Sequence, residues 1–340
     1  MLNLLKTLCE IDGVSGFEDD VRDFIISRIS GLASEITVDS IGNIIAVKKG
    51  RQRAKRTLML AAHMDEVGMI VKRITDEGML GFGFCGGVDR RVVFGKRVRV
   101  GDRKIPGVIG VKAVHLTNEE ERKNVPKTDD LYIDIGAQTK KAAEELVSLG
   151  DYAAFDSEFS LFGEGYIKSK AIDDRIGCAV LINLMEMDLP CDTAFAFTAQ
   201  EETGLRGATI AANRIEPDHC LVLEGTTAAD IAFVDKVKTV CRLSMGPVIP
   251  FMDGATIYDR EICSRLIRIA DEHGIKWQTK QYISGGTDAG IIHRSGSGVK
   301  TGALAAPVRY LHSGASVASV SDCENMLRLA KLFMEDMQNA

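Results

Sequence analysis

The 340-residue sequence lacks the features of membrane and exported proteins. It contains no apolar run of about 18 residues, the length that a helix needs to cross a bilayer, so we expect no membrane span. Its first segment, Met1 to Glu10, lacks the basic stretch, the apolar stretch and the small-residue cleavage site of a signal peptide. We therefore expect a cytoplasmic protein.

An excess of positive charge is absent as well. The net charge is −6, and charged residues make up 26% of the chain. Binding to nucleic acid or to an anionic membrane surface requires basic patches. We therefore expect neither nucleic acid nor a membrane among the partners.

The eight cysteines include no CxxC pair. Scattered cysteines in a chain of this size, without an export signal, are typical of reduced thiols in the cytosol. A structural zinc site built from cysteines is therefore not expected. Any metal chemistry must depend on histidine, aspartate and glutamate.

What the sequence contains is an alternation of strands and helices around a β-rich middle. A buried strand is predicted at Thr57 to Ala62, and strands and helices alternate after Lys170. This pattern predicts an α/β fold with a central, mostly parallel sheet flanked by helices. We expect a discontinuous main domain at 1–68 and 165–340, and a small β-rich domain inserted at 69–164.

Several local patterns give more detailed predictions. The segment from Glu35 to Val47 predicts a hairpin, because Gly42-Asn43 separates two apolar runs. Ser15 and Glu18 match a capping box before a helix, and Ser321 and Glu324 match another before the final helix. We also expect a helix from Ile257 to His273 and a strand from Lys276 to Ile283.

Polar residues follow the predicted strands at the positions where sites form in α/β sheets. They are acids and imidazoles, the ligands that zinc, cobalt and manganese accept. The candidates are His63, Asp65, Asp173, Asp174, Glu201, Glu202, Glu224 and His312.

Each candidate also has a plain structural interpretation. An isolated His63 is most often a hydrogen-bonded histidine, and Asp173-Asp174 is a common helix cap. The adjacent pair Glu201-Glu202 is more informative, because two neighbouring carboxylates at a buried strand end repel each other unless a cation is present. The coincidence of five such clusters at strand ends and helix starts favours a metal site.

Five ordered motifs resemble those of the tetrahedral (TET-type) aminopeptidases, which include glutamyl and deblocking aminopeptidases. They are Ala62-His63-Met64-Asp65-Glu66-Val67-Gly68, Lys170-Ala171-Ile172-Asp173-Asp174-Arg175-Ile176-Gly177, Gln200-Glu201-Glu202-Thr203-Gly204-Leu205-Arg206-Gly207, Ser284-Gly285-Gly286-Thr287-Asp288-Ala289-Gly290 and Pro307-Val308-Arg309-Tyr310-Leu311-His312-Ser313. Gly13-Val14-Ser15-Gly16-Phe17-Glu18 and Asp39-Ser40-Ile41-Gly42-Asn43 fit as well, so that the motifs extend over nearly the whole chain. Their order makes the set specific although each motif alone is weak.

The resemblance implies a metal-dependent aminopeptidase with two divalent metal ions, Zn²⁺ or Co²⁺ or else Mn²⁺. His63, Asp173 and Glu224 would hold one ion. Asp173, Glu202 and His312 would hold the other, so that Asp173 bridges the two. The substrates implied are peptides with a free N-terminus.

The resemblance also implies catalytic roles. Glu201 would act as general base toward a water activated by the two metals, and Asp65 would fix the tautomer of His63. Many relatives carry aspartate at the position of Glu224, so Asp230 is the alternative ligand.

At larger scale, the resemblance implies a zinc-peptidase-like catalytic domain with a PDZ-like inserted domain that mediates dimerisation. Dimers would assemble into a tetrahedral dodecamer. The glycine-rich segment Ser284 to Gly290 lines the substrate cleft or is a tight loop. Lys238, Arg309 and Arg206 are candidate partners of an acidic first residue, although structural roles also fit them.

Three other functions remain open. A deacylase or carboxypeptidase on the same two-metal core would not require a free amine. An endoglucanase-type glycosidase uses two carboxylates and would survive chelation, but its sugar-stacking platforms are scarce in a chain with 6% aromatics and a single tryptophan, Trp277. A binding protein that retains an inactive site would show no activity with any metal.

Overall fold

The computed structural model describes residues 1–337. Its strands are β1 (Glu35–Val38), β2 (Ile44–Lys48), β3 (Leu58–His63), β4 (Gly68–Ile74), β5 (Leu80–Cys85), β6 (Arg97–Val100), β7 (Ile105–Val111), β8 (Leu131–Asp134), β9 (Tyr152–Phe155), β10 (Ser160–Phe162), β11 (Tyr166–Ser169), β12 (Thr193–Thr198), β13 (His219–Thr227), β14 (Lys300–Arg309) and β15 (Ser316–Ser319). Its helices are α1 (Leu2–Glu10), α2 (Asp19–Ile29), α3 (Glu119–Lys123), α4 (Lys140–Glu144), α5 (Ile172–Met185), α6 (Arg206–Ile215), α7 (Arg260–Glu272), α8 (Ala289–Ile292) and α9 (Val320–Met337).

Nine strands form one large sheet in the order β1-β2-β12-β3-β13-β14-β15-β11-β10. The predicted mostly parallel sheet is wrong, because only the central pairs β12-β3, β3-β13 and β13-β14 are parallel. The strands on both sides pair antiparallel. The reason is that two pairs of outer strands, β1-β2 and β10-β11, are joined by short turns, which produce antiparallel neighbours.

The central strands are apolar because both faces of the sheet are covered. All six residues of β3 and all six of β12 are buried. Helix α5 packs against β3 and β13, and its residues are nearly all buried. The amphipathic α7 instead buries only one stripe, which includes Ile262, Leu266 and Ile269. The sheet with its flanking helices therefore confirms the predicted α/β class.

The β-rich middle folds as a closed barrel of six strands in the order β4-β5-β8-β7-β6-β9. It has its own core, which includes Met69, Phe82, Val98, Ile133 and Phe155. The barrel strands extend from Gly68 to Phe155, whereas β10 and β11 already belong to the large sheet. Closing the sheet on itself removes the exposed strand edges.

Some local predictions are confirmed and others are wrong. The predicted hairpin is formed by β1 and β2. The capping box before α2 is absent, because the Glu18 carboxylate accepts hydrogen bonds from the Gly16 and Gln200 amides instead. The final helix begins at Val320, so that Ser321 lies inside its first turn.

The segment after α7 also differs from the prediction. Lys276 to Ile283 forms no named strand and makes a single bridge, between Gln278 and Val248. Helix α7 begins at Arg260, where the Asp259 side chain caps it, rather than at Ile257. Within residues 1–337, no helix has both the length and the apolarity needed to cross a bilayer.

Candidate metal centre

The candidate site lies at the carboxyl ends of the parallel strands. His63 is the last residue of β3, and Glu224 lies within β13. Glu201 and Glu202 follow the end of β12, and Asp173 lies at the start of α5. Because parallel strands end at the same edge of a sheet, these side chains converge although they are far apart in sequence.

His63 faces two of the predicted ligands. Its Nε2 lies 3.1 Å from Glu224 Oε1 and 3.4 Å from Asp173 Oδ1. All three residues are buried. These are the three residues expected to share one cation.

His312 faces the other pair. Its Nε2 lies 3.3 Å from Glu202 Oε2 and 3.6 Å from Asp173 Oδ2. Asp173 therefore points one carboxylate oxygen at each histidine. The two groups of three share Asp173, as a bridging ligand requires.

Both imidazoles are oriented by their other nitrogen. His63 Nδ1 lies 3.1 Å from the Asp65 carbonyl oxygen and 3.4 Å from its Oδ1. His312 Nδ1 lies 3.1 Å from the Gly87 carbonyl oxygen. Each Nδ1 can thus donate to a carbonyl, which leaves Nε2 as the nitrogen that binds a cation or, without one, carries a proton toward the carboxylates.

The Asp65 carboxylate also orders the neighbouring loop. It accepts hydrogen bonds from the amides of Glu201, at 3.0 Å, and Glu202, at 3.1 Å. Asp65 is fully buried, which by itself would raise the pKa of its carboxyl group. The hydrogen bond and the charge of His63 outweigh this effect and lower the pKa of Asp65. Asp65 therefore links the loop that carries His63 to the loop that carries both glutamates.

The donor set fits divalent cations. Buried oxygens Asp173 Oδ1 and Glu224 Oε2 have no hydrogen-bond partner. Within residues 1–337, Asp173, Glu201, Glu202 and Glu224 form ion pairs with histidine only and none with lysine or arginine. Two sets of ligand atoms, those of His63, Asp173 and Glu202 and those of His63, Asp174 and Glu224, each lie within 4.8 Å of one another. Buried carboxylates in such number are unfavourable unless a cation or protons compensate their charge.

The electrostatics of the site lead to the same conclusion. Burial raises the pKa of Glu202 to about 7, against the lowering effect of His312. Burial also raises the pKa of Glu201 and of Glu224 well above their ordinary values. Burial alone would lower the pKa of His312, but Asp173 and Glu202 outweigh it and raise that pKa to about 9. Without a cation, the cluster therefore holds protons near neutral pH.

Glu201 lies beside the two groups of three rather than within them. Its Oε2 is 4.0 Å from His63 Nε2, farther than the oxygen atoms of Asp173 and Glu224. A carboxylate in this position is available to accept a proton.

Glu224 and Asp230, the two alternative ligands, lie in different surroundings. Asp230 is paired with Arg309, whose Nε and Nη2 each lie 2.7 Å from one of its carboxylate oxygens. Glu224 faces His63. The structure thus brings Glu224 into the cluster, and it also commits Arg309 to a structural ion pair. Arg206, another candidate for binding an acidic substrate, donates to Gln200 instead.

Two further acids lie near the site, Asp174, which the sequence already offered as a candidate, and Asp288. Asp174 accepts hydrogen bonds from the Gly177 amide, at 2.9 Å, and the His63 amide, at 3.2 Å. Asp288, in the glycine-rich segment, accepts a hydrogen bond from Thr198, and burial raises its pKa to about 6. An acid inside a glycine-rich loop was the only available signal for Asp288.

Comparisons with known proteins place this arrangement among peptidases. A family model described as M42 glutamyl aminopeptidase matches residues 42–329. The lysyl aminopeptidase of Pyrococcus furiosus is 31% identical over 349 residues, which cover 98% of this chain and 97% of that protein. The glutamyl aminopeptidase of Lactococcus lactis is 32% identical over 334 residues, which cover 95% of this chain and 92% of that protein.

Solved structures share the fold along the whole chain. The TET1 peptidase of Pyrococcus horikoshii, described as assembling into a tetrahedron or a large octahedral shell, superposes with a TM-score of 0.86 at 36% identity, and the match covers 97% of this chain and 98% of that one. A protein of Thermotoga maritima described as an endoglucanase superposes with a TM-score of 0.81 at 34% identity, covering 98% and 99%.

Proposed function

Since this chain belongs to the M42 glutamyl aminopeptidase family and is therefore a metal-dependent aminopeptidase, a hydrolase of peptide bonds, we propose that it works with two divalent cations shared through Asp173. His63 and Glu224 complete one set of ligands, and Glu202 and His312 complete the other. The observation that carries the proposal is the position of Asp173, which directs one oxygen toward each histidine.

When bound by these residues, the cations would polarise the scissile carbonyl as Lewis acids and lower the pKa of the attacking water. Zinc, cobalt and manganese all suit ligands of this kind.

Glu201 is the proposed general base. It takes a proton from the water that attacks the scissile carbonyl, and it later returns a proton to the leaving amine. Its neighbours support this role, because Asp65 holds the Glu201 amide and so fixes the backbone from which the carboxylate projects. Within residues 1–337, Glu201 has no lysine or arginine partner that would lower its affinity for a proton.

The charge of the site explains the preference for a free N-terminus. A free α-amine can bind one of the cations or a carboxylate beside them, whereas the amide nitrogen of an acylated amine is a poor ligand and carries no charge. The proposed substrates are therefore short peptides that lose one residue at a time from the amino end.

The larger assembly and the location are proposed on separate grounds. The likeness to the TET1 peptidase supports a homo-oligomer built from dimers into a tetrahedral dodecamer, with the barrel, the expected PDZ-like domain, in the dimer contacts. All eight cysteines are free thiols, which supports a cytoplasmic location.

The test compares free-amine aminoacyl-anilides with their N-acetylated forms and with carboxymethyl-cellulose. Each would be assayed with the chelator-stripped protein, with and without added zinc, cobalt or manganese. We expect release from free-amine substrates only, and only with metal. Glu201→Gln should lower kcat by roughly 10²- to 10⁴-fold while metal still binds.

Other results would identify the competing functions. Faster cleavage of acetylated substrates would indicate a deacylase, and hydrolysis of cellulose without metal would indicate a glycosidase. Retention of full activity by Glu201→Gln would contradict the assigned base, whereas loss of metal binding in that variant would show that Glu201 is a ligand.

A further inference from the structure

A network of buried ion pairs lies directly behind the proposed metal ligands. It contains the acids Asp12 and Glu66 and the bases Lys170 and Arg175, all of which are at most 2% exposed. Burying four charges is unfavourable unless each is paired. None of these residues is among the proposed ligands or the base, so the network has no role in the chemistry described above.

The network is continuous. Lys170 Nζ contacts both Glu66 and Asp12, with 3.2 Å to Asp12 Oδ1. Glu66 Oε1 also accepts a hydrogen bond from the Gly13 amide at 3.0 Å. Arg175 Nε donates to the Met64 carbonyl at 2.8 Å. The four residues of the network therefore share partners, and a shift of one side chain would displace the next.

Its members are neighbours of the ligands along the chain. Glu66 follows Asp65 and lies three residues after His63, while Lys170 lies three residues before Asp173. The ion pair between Lys170 and Glu66 thus connects the segment that follows His63 to the segment that precedes Asp173. The relative position of His63 and Asp173 depends on this ion pair.

The barrel is connected to the network through one side chain. Arg99, on β6, donates to Asp12 Oδ2 at 2.9 Å and to Asp156 Oδ1 at 2.8 Å. Arg99 and Lys170 together outweigh the effect of burial and lower the pKa of Asp12, so that this carboxylate stays charged. The ion pairs of Arg99, Asp12, Lys170 and Glu66 therefore connect the barrel to the residues next to the proposed metal ligands.

We propose that Arg99 is a positioning residue, which acts through Asp12 and Lys170. It fixes the segments that carry His63 and Asp173, so that the packing of the barrel against the network determines how tightly the site binds its cations. This inference rests on the proposed metal-dependent function. Among residues 1–337, loss of Arg99 would leave Asp12 with Lys170 as its one charged partner. Asp12 would then attract Lys170 more strongly and draw its ammonium group away from Glu66.

The same strand provides a matched control. Arg97, also on β6, pairs with Asp156 at 3.0 Å, but its side chain is 68% exposed and forms no ion pair with Asp12. Replacing either arginine with methionine removes one charge from the same strand and one partner from Asp156. Only the Arg99 change reaches the network.

The experiment measures the Zn²⁺ dissociation constant of the chelator-stripped protein by competition with a chelating dye, together with the Tm of the metal-free form. Arg99→Met should weaken Zn²⁺ binding about 10-fold or more, the usual size of an effect on residues that support metal ligands. Arg97→Met should bind as the wild type does. Arg99→Lys, which keeps the charge but offers one donor group, should fall between them.

The outcomes separate this inference from a purely structural role and from failure of the proposed function. Unchanged Zn²⁺ affinity in Arg99→Met, even with a lowered Tm, would overturn the positioning role. If Arg99→Met does not fold, Arg99→Lys decides, and wild-type affinity in that variant overturns the inference. A wild-type protein that binds no metal would instead refute the proposed function.

Discussion

At the scale of single residues, the feature that decides how His63 and His312 bind a cation is the Nε2 nitrogen, which makes no hydrogen bond to the backbone. The Asp65 and Gly87 carbonyls each occupy an Nδ1, so that both Nε2 atoms face Asp173. A cation that binds between them replaces protons, because the empty cluster holds protons on groups such as Glu202 and His312.

Metal binding should therefore release protons. The pKa of Glu202 is raised to about 7 and that of His312 to about 9 in the metal-free site. Since protons compete with the cation, the apparent affinity should rise with pH through this range and level off above it. Titration calorimetry at pH 7 in buffers of different ionisation enthalpy should give buffer-dependent heats. Heats that are the same in all buffers would contradict this account.

Much of the site could be predicted from residues at strand ends, because His63, Glu201 and Glu224 follow or end clear apolar runs. Asp288 and the buried ion network could not. Lys170 and Glu66 are 104 residues apart, and neither lies in a pattern that distinguishes a buried pair from two surface charges. Such pairing is decided by the packing of elements that are distant in sequence.

At the scale of elements, β13 holds Glu224 and also forms the wall behind Asp173. Gly225 follows Glu224 on this strand, and a Cβ there would lie 2.9 Å from Asp173 Oδ1 and 3.0 Å from its Cβ. The absence of a side chain at Gly225 thus makes room for the shared ligand.

Gly225→Ala should therefore displace Asp173 and weaken metal binding by more than 10-fold, although no ligand is changed. Gly302→Ala, on the adjacent β14, is the control. There a Cβ would meet Ile262 at 2.3 Å, which should cost about 1–3 kcal/mol of stability through overpacking but leave the site intact. Zn²⁺ titration and thermal unfolding of both variants would measure this, and equal metal affinities would refute the assignment.

The prediction of elements was accurate where both faces of a strand are covered and weaker at the edges. The run at β3 is apolar throughout, so its burial could be read directly. Lys276 to Ile283 instead mixes polar residues with Trp277, Tyr282 and Ile283, and within residues 1–337 it forms one bridge and no strand. Whether an extended segment becomes a strand depends on an available neighbour, which the sequence of the segment does not contain. For the same reason the antiparallel pairings of β2 with β12, of β14 with β15 and of β11 with β15 were not predicted, whereas the hairpin of β1 and β2 was.

At the scale of the whole molecule, the barrel has its own core and sits between two parts of the catalytic chain. If dimers formed through the barrel assemble into the proposed dodecamer, the protein should form a particle of twelve 37.0 kDa chains. Native mass spectrometry would measure the assembly. A monomer across the micromolar range would contradict the proposed assembly but would leave the proposed chemistry untouched.

The central claim is that one chain holds two cations through the shared carboxylate of Asp173. The most direct measurement is the number of zinc ions per chain, determined by elemental analysis after reconstitution and exhaustive dialysis. The account predicts two ions in the wild type, close to none in Asp173→Asn, and two in Asp230→Asn, whose carboxylate serves Arg309 instead. A single ion in the wild type, or two ions retained in Asp173→Asn, would contradict it.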